Sequence, residues 1–395
     1  MVFLLSLGNV LWQGDAMQAH FVPPHLARIV AFTLSALLLS CDGSSNGSEG
    51  PLPLGETPPA PAAECPSPPT FFSSLIEGQI SDVQATAAER RNQLLDPDVI
   101  TVVTCGTASP IPPRTRAQSC TAVFVNGLFL LFDAGDGAVP SMENLNLPLP
   151  DLTAVFLTHY HSDHIADVGE VISRSWILGR RTPLRVYGGE AVERVVDGFN
   201  SIYALDYNYR TAHHGESLFP PDTTGADAQL ILDPGPEGLI VYDENGVTVT
   251  AYTVDHSPIL PALGYRVDYA GKSVAISGDT IDTEGLENMS QGADVLVSEV
   301  MNKSFVEDAE CALGRLGQDT NAAIFKDIRT YHIDVEELAQ LAQDAGVGIL
   351  VLTHQVPALD DDAQIGLVFR TPITARYEGE LVVAVDGTSV TVPVE

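Results

Sequence analysis

Thr153-Ala154-Val155-Phe156-Leu157-Thr158-His159-Tyr160-His161-Ser162-Asp163-His164 is an apolar run that ends in four side chains able to bind a metal. Thr153 to Thr158 reads as a buried strand. Beyond the cluster, Ile165, Val168, Ile172, Trp176 and Ile177 recur at helical spacing, with Gly179 as a stop. His159, His161, Asp163 and His164 are therefore expected in the loop between a strand and a helix. Imidazole nitrogen and carboxylate oxygen suit zinc, manganese or iron, and alternating residues can point toward one ion while the next pair points toward another. A surface histidine-rich loop has the same composition but has no need of a strand before it and a helix after it.

Outward from this stretch the chain alternates short β-rich runs with helical patterns. A helix is predicted from about Ser73 to Leu95. Strands are predicted at Val99 to Thr104, Val247 to Val254, Asp294 to Val300, Gly348 to Thr353 and Leu381 to Val385. Asn126-Gly127 splits Thr121 to Phe132 into a hairpin, and Gly271-Lys272 joins Leu263–Ala270 to Ser273–Ser277 in a second one. Asp334 with Glu337 makes a capping-box-like start to a helix. Hairpins mixed with helices predict sheets covered by helices rather than a purely parallel sheet. Phe199 to Gly238, rich in Tyr, His, Pro and Gly, reads as a long loop or a short helical insertion. His213, His214, Tyr203, Tyr207 and Tyr209 within it either line a substrate pocket or lie on the surface. Arg114 and Arg116 belong to a solvated loop or approach an anionic substrate.

His159-x-His161-x-Asp163-His164 resembles the HxHxDH signature of the metallo-β-lactamase superfamily, and other landmarks follow in the order that family has. Asp133-Ala134-Gly135-Asp136-Gly137 resembles its first motif, in which Asp133 would be structural. His256 in Val254-Asp255-His256-Ser257-Pro258 resembles the third-motif histidine of the ribonuclease Z branch, Asp279 in Ser277-Gly278-Asp279-Thr280 its bridging aspartate, and His354 its last ligand. The resemblance spans about Thr101 to Val356. It implies a four-layer αββα sandwich of the α+β class, with His159, His161 and His256 holding one metal, Asp163, His164 and His354 a second, and Asp279 bridging both. Two divalent ions, zinc first and manganese or iron as alternatives, would ionise a shared water, with Asp163 as general base. A glutamate and a histidine protonate the leaving group in that branch. Glu299 and His332 fall at those places, although the branch's His-Glu-Ala-Thr stretch reads Ser298-Glu299-Val300-Met301 here. The carboxylate is expected to orient the imidazole and raise its pKa.

Composition narrows the substrate. With 19 Lys and Arg against 52 Asp and Glu, the formal net charge is −33, which disfavours a general nucleic-acid surface. Transfer-RNA-processing members of the branch carry a long basic arm where this chain has the tight Gly271-Lys272 turn, and arm-less relatives include arylsulfatases and phosphodiesterases. The expected substrate is therefore a small anionic phosphodiester or aryl sulfate ester. Ribonuclease Z-type cleavage of transfer RNA and a non-catalytic metal-binding lipoprotein are the alternatives. A β-lactamase is disfavoured because Asp279 stands where a cysteine ligand is common.

Residues 1–40 read as a leader, with Arg28 before an apolar run from Ile29 to Leu39; a start at Met17 gives it a more usual length. Leu38-Leu39-Ser40-Cys41 resembles a lipoprotein cleavage box, which implies export and anchoring through a lipid on Cys41, with plain secretion or a buried apolar helix as alternatives. Residues 41–70 read as a Pro/Gly/Ser-rich linker, 71–97 as a helical lead-in and 98–395 as the catalytic domain. Cys65, Cys105, Cys120 and Cys311 can form disulfides in an oxidising compartment, in a pairing the sequence leaves open, as it leaves open a homodimer.

Overall fold

Strands buried on both faces need near-continuous apolar runs, and the chain supplies them in β2 (Cys120–Val125), β3 (Leu128–Phe132) and β11 (Val295–Met301), broken at Thr121 and at Ser298-Glu299. The computed structural model describes residues 71–111 and 115–394, and arranges them as two seven-stranded sheets. The first runs β14 (Ser389–Pro393), β1 (Val99–Gly106), β2, β3, β4 (Leu152–Phe156), β5 (Leu184–Gly188), β6 (Ala226–Leu230). The second runs β13 (Glu380–Val383), β12 (Ile349–Val356), β11, β10 (Lys272–Ile276), β9 (Leu263–Tyr269), β8 (Val247–Thr253), β7 (Leu239–Glu244). The longer helices are α1 (Phe71–Leu94), α2 (Ala138–Asn144), α3 (Val168–Leu178), α4 (Val192–His214), α5 (Glu284–Ser290), α6 (Lys303–Arg315), α7 (Asp319–Asp327) and α8 (Val335–Asp344).

Alternation along each strand divides the core into layers. Val123, Leu130, Phe132 and Phe156 of the first sheet meet Tyr265, Val267, Val297 and Val351 of the second. The intervening residues Phe124, Phe129 and Leu131 face outward onto α2, α3 and α4. Leu296, Leu350 and Leu352 likewise face α5 and α8. The result is the helix–sheet–sheet–helix sandwich expected. Phe156 sits at its centre, stacked 4.7 Å from Tyr187 and 5.1 Å from Phe132. Phe156→Ala is expected to destabilise the domain by about 3–5 kcal/mol in urea titration. A loss under about 1.5 kcal/mol would show that this position is not central to the core.

Both predicted hairpins form, with turns at Asn126-Gly127 and Ala270-Gly271. Asp334 caps α8, accepting from the Glu336 N–H. The stretch from Phe199 departs from expectation: residues through His214 complete the 23-residue helix α4, followed by a turn at Pro221–Thr223 and by β6. Its Tyr, His, Asn and Gly content gives weak helix propensity. Burial of Val192, Val196 and Tyr207 along one side supplies the tertiary contact that overrides it. Cys105 and Cys120 form a disulfide between β1 and β2 with Cα atoms 5.0 Å apart, while Cys311 is an exposed thiol on α6. Cys41, Cys65, the leader and the linker lie outside the described residues. Among the described residues no helix is long and apolar enough to cross a membrane.

Candidate metal centre

The loop after β4 is tied down by Asp133, the residue that follows β3. Its carboxylate accepts from the Thr158 N–H at 2.8 Å and from the Thr158 hydroxyl at 2.7 Å. The same carboxylate lies 2.7 Å from His164 Nδ1, so that nitrogen donates and Nε2 is left facing the cluster. Asp133 is thus structural, as the resemblance implies. His159 Nδ1 lies 3.1 Å from the Thr158 hydroxyl, and His256 Nδ1 is 2.9 Å from the Tyr331 carbonyl, to which it donates. Each contact orients one ring and frees its other nitrogen.

Those free atoms fall into two groups. His159 Nε2 is 2.9 Å from His161 Nδ1, which is 3.3 Å from His256 Nε2. Across the site, Asp163 Oδ2 lies 3.1 Å from His354 Nε2 and 3.6 Å from His164 Nε2. Asp279 Oδ2 lies between the groups, 3.9 and 3.8 Å from His159 and His256, and 3.4 and 3.5 Å from His164 and His354. The structure therefore brings together all seven side chains singled out in the sequence.

Two features of the backbone aim the late donors. Gly278 takes φ +62°, and a Cβ there would meet the Leu263 carbonyl at 2.6 Å, so the turn that presents Asp279 is open to glycine alone. His354 is the extra residue of a bulge in β12: Glu299 pairs with Thr353 and Val300 with Gln355, skipping it. His354 takes φ +43°, an uncommon conformation for a β-rich segment, and the bulge turns its ring toward the site.

The donor set fits divalent cations. Asp279 Oδ1 and His164 Nε2 are buried without hydrogen-bond partners, an unusual condition for native polar atoms. Burial alone lowers the pKa of His164 and His354, yet the carboxylates, Asp279 foremost, outweigh it and raise both. Burial likewise works against ionisation of Asp163 and Asp279, but the facing imidazoles hold both carboxyls below the usual range. Negative charge is thus concentrated where a cation would sit. Burial keeps His159, His161 and His256 below the ordinary histidine value, in the neutral form that ligates metals.

Beside this cluster, His332 Nδ1 lies 2.9 and 2.8 Å from the two oxygens of Glu299, and the Thr280 N–H donates to Glu299 Oε1 at 2.8 Å. The His332 ring stacks on His354 with centroids 5.6 Å apart. One expectation is corrected here: burial pushes the His332 pKa down rather than up, while burial and the charge of Asp279 push Glu299 well up. Both partners sit in a dry environment that penalises either charged form.

A cavity of about 260 Å³ opens onto His161, Asp163, His256, Asp279, His332 and His354. Its remaining walls are residues that sequence reasoning did not single out, among them Ser109, Ile111, Ile324, Ile328 and Tyr331. Ser109 is fully buried with its hydroxyl lacking a hydrogen-bond partner. Tyr203, Tyr209, His213 and His214 are elsewhere, on α4. Tyr203 packs against the Trp176–Tyr207–Phe219 cluster, His214 lies 5.4 Å from Phe219, and Tyr209 is exposed. The pocket expected from them is replaced by the walls just described, because α4 lies on the outer face of the first sheet. Arg116 is neither solvated nor in the cavity. Its guanidinium donates to the Thr107 hydroxyl and to the Leu359 and Ala384 carbonyls, binding the loop after β1 to the segment after His354. Arg114 lies outside the described residues.

Comparison with known proteins agrees with this geometry. Residues 129–355 match the model of the beta-lactamase superfamily domain. The chain is 33% identical over 264 residues to a ribonuclease Z of Mycolicibacterium gilvum, covering 66% of this chain and 86% of that protein. It is 37% identical over 264 residues to a ribonuclease Z of Mycolicibacterium paratuberculosis, covering 66% and 88%. Among solved structures, the metallo-beta-lactamase fold protein YhfI from Bacillus subtilis superposes with a TM-score of 0.52 at 21% identity, covering 75% of this chain and 100% of that one. With seven histidine and aspartate donors converging between two helix-covered sheets and this match through most of the domain, the chain belongs to the metallo-β-lactamase superfamily, in its ribonuclease Z-like branch, and is a metal-binding hydrolase of ester-type bonds.

Proposed function

We propose that the chain hydrolyses phosphodiesters with the machinery of a ribonuclease Z. The observation that carries this reading is the Glu299–His332 pair seated against the metal-ligand cluster. His159, His161 and His256 would hold one divalent cation and Asp163, His164 and His354 a second, with Asp279 shared. Cations bound there, zinc by the donor set, would acidify water and neutralise the anionic oxygens of the substrate. The remaining work falls to the chain. Asp163, kept ionised by its imidazole neighbours, accepts the proton of the attacking water. Glu299 and His332 Nδ1 share one proton; as the Nε2–H of His332 is given to the departing oxygen, that shared proton passes to Nδ1, leaving a carboxylate beside a neutral imidazole.

Relatives that bear the ribonuclease Z name support an RNA end as substrate, and support it better than an aryl sulfate. A second reading, a small diester, is favoured by the tight Ala270-Gly271 turn between β9 and β10 and by the net charge of −33. A substrate panel on purified protein separates them: bis(4-nitrophenyl) phosphate, 4-nitrophenyl sulfate and a transfer-RNA precursor with a 3′ extension. Diester cleavage is expected, lost on chelation and restored by zinc. Removal of the RNA extension would select the first reading, and salt-insensitive absence of RNA binding the second. Folded, metal-loaded protein that cleaves no phosphodiester would overturn the proposal.

A further inference from the structure

A proton donor marks where the leaving group lies, because the departing oxygen must come within hydrogen-bond reach of it. The cavity that His332 lines has aliphatic side chains in its wall as well: Ile324 and Ile328 from the segment leading up to His332, Val356 two residues beyond His354, and Ile111 from the loop after β1. Ile328 and Val356 are buried together with Met301 and Val306, and Ile111 and Tyr331 pack on that cluster, so the wall has a solid backing. Ile324 differs from its neighbours. It lines the cavity yet remains 46% exposed, an apolar side chain at the rim of a polar site. Nearby Arg329 is engaged by Glu307 and Glu310, at 2.9 and 2.5 Å, rather than turned toward the opening. Ile324 stands on α7, the second helix of the pair α6–α7 that comes between Glu299 and His332 in the chain.

We propose that the wall of Ile111, Ile324, Ile328 and Val356 is the leaving-group subsite, and that it selects diesters whose departing alcohol or phenol is compact and apolar. The inference rests on the small-diester reading above, with His332 as acid. A cavity of about 260 Å³ accommodates one ring or a short alkyl chain beside a tetrahedral anionic head, and aliphatic walls give no compensation for desolvating a charged leaving group.

The test uses the full, zinc-loaded chain and two arms. In the first, methyl phosphodiesters of phenols matched in acidity are compared, one uncharged and one bearing a carboxylate. The uncharged ester is expected to have the higher kcat/KM by about tenfold or more, because the aliphatic wall does not offset desolvation of the carboxylate. Ile324→Lys is expected to erase or reverse that preference, whereas Ile324→Leu keeps it. In the second, phenylphosphonate is expected to bind about tenfold more tightly than methylphosphonate by calorimetry, with the difference lost in Ile324→Lys. Hydrolysis with no preference between the phenols overturns the subsite and leaves the activity standing. If no ester is cleaved, the hydrolase reading fails, and the phosphonates still decide the subsite, since equal affinities overturn it.

Discussion

Asp279→Asn is expected to lower kcat/KM for phosphodiesters by on the order of a thousandfold and to reduce the zinc retained after gel filtration. The substitution keeps shape and removes charge from the one oxygen that lies within 4 Å of both donor groups. Charge stabilisation at a two-metal site is worth several kcal/mol, and each ~1.4 kcal/mol is a factor of ten in rate. The fold should survive, because Asp279 Oδ1 has no hydrogen-bond partner to lose. Circular dichroism and urea titration check that point. A variant that keeps a full complement of zinc and a tenth or more of the activity would show that Asp279 is not shared between the groups.

His332→Ala is expected to separate substrates by leaving group. A positioned acid typically contributes about 10²–10⁴-fold. Esters of weakly acidic alcohols, which need a proton to depart, should slow by two or three orders of magnitude, and those of activated nitrophenols by less than about tenfold. Truncation also leaves Glu299 buried without its main partner, so the single variant carries a stability cost as well. Glu299→Gln should reproduce the selective slowing in milder form, and the double variant should be little worse than His332→Ala, as groups acting as one unit are not additive. Equal slowing of both ester classes would remove the acid role from His332.

Much of this was legible in the residues because the chemistry is local. His159 through His164 follow one another between β4 and α3, Asp163 and His164 on the single helical turn Ser162–Ile165, and the apolar run before them reads as a buried strand. The hairpins declared themselves through Asn126-Gly127 and Gly271, which take positive φ, although the second turn falls one residue early, on Ala270-Gly271 rather than Gly271-Lys272. What escaped was decided at long range. Nothing in Leu352-Thr353-His354 signals a bulge, since the skipped register exists only opposite Glu299 and Val300. Arg116 looks like any loop arginine until the Thr107, Leu359 and Ala384 partners surround it. Tyr203 and Tyr209 drew attention as aromatic and polar, but their helix packs on the far face of a sheet. Conversely, Ile324 and Ile328 carry no chemical signature, and only the fold places them in the wall of the cavity that His332 lines. Tyr331, adjacent to His332, and Ser162, between His161 and Asp163, are the wall residues that proximity in sequence suggests.

The seven donors are divided between the sheets, four following β4 on one and His256, Asp279 and His354 arising from strands of the other. A slide of about 1 Å between the layers would leave the oily interior largely intact, yet misplacement on that scale can cost a catalyst about a hundredfold. Turnover is thereby hostage to how tightly Phe156 and Tyr265 interlock, and activity should be forfeited on warming well before the protein melts.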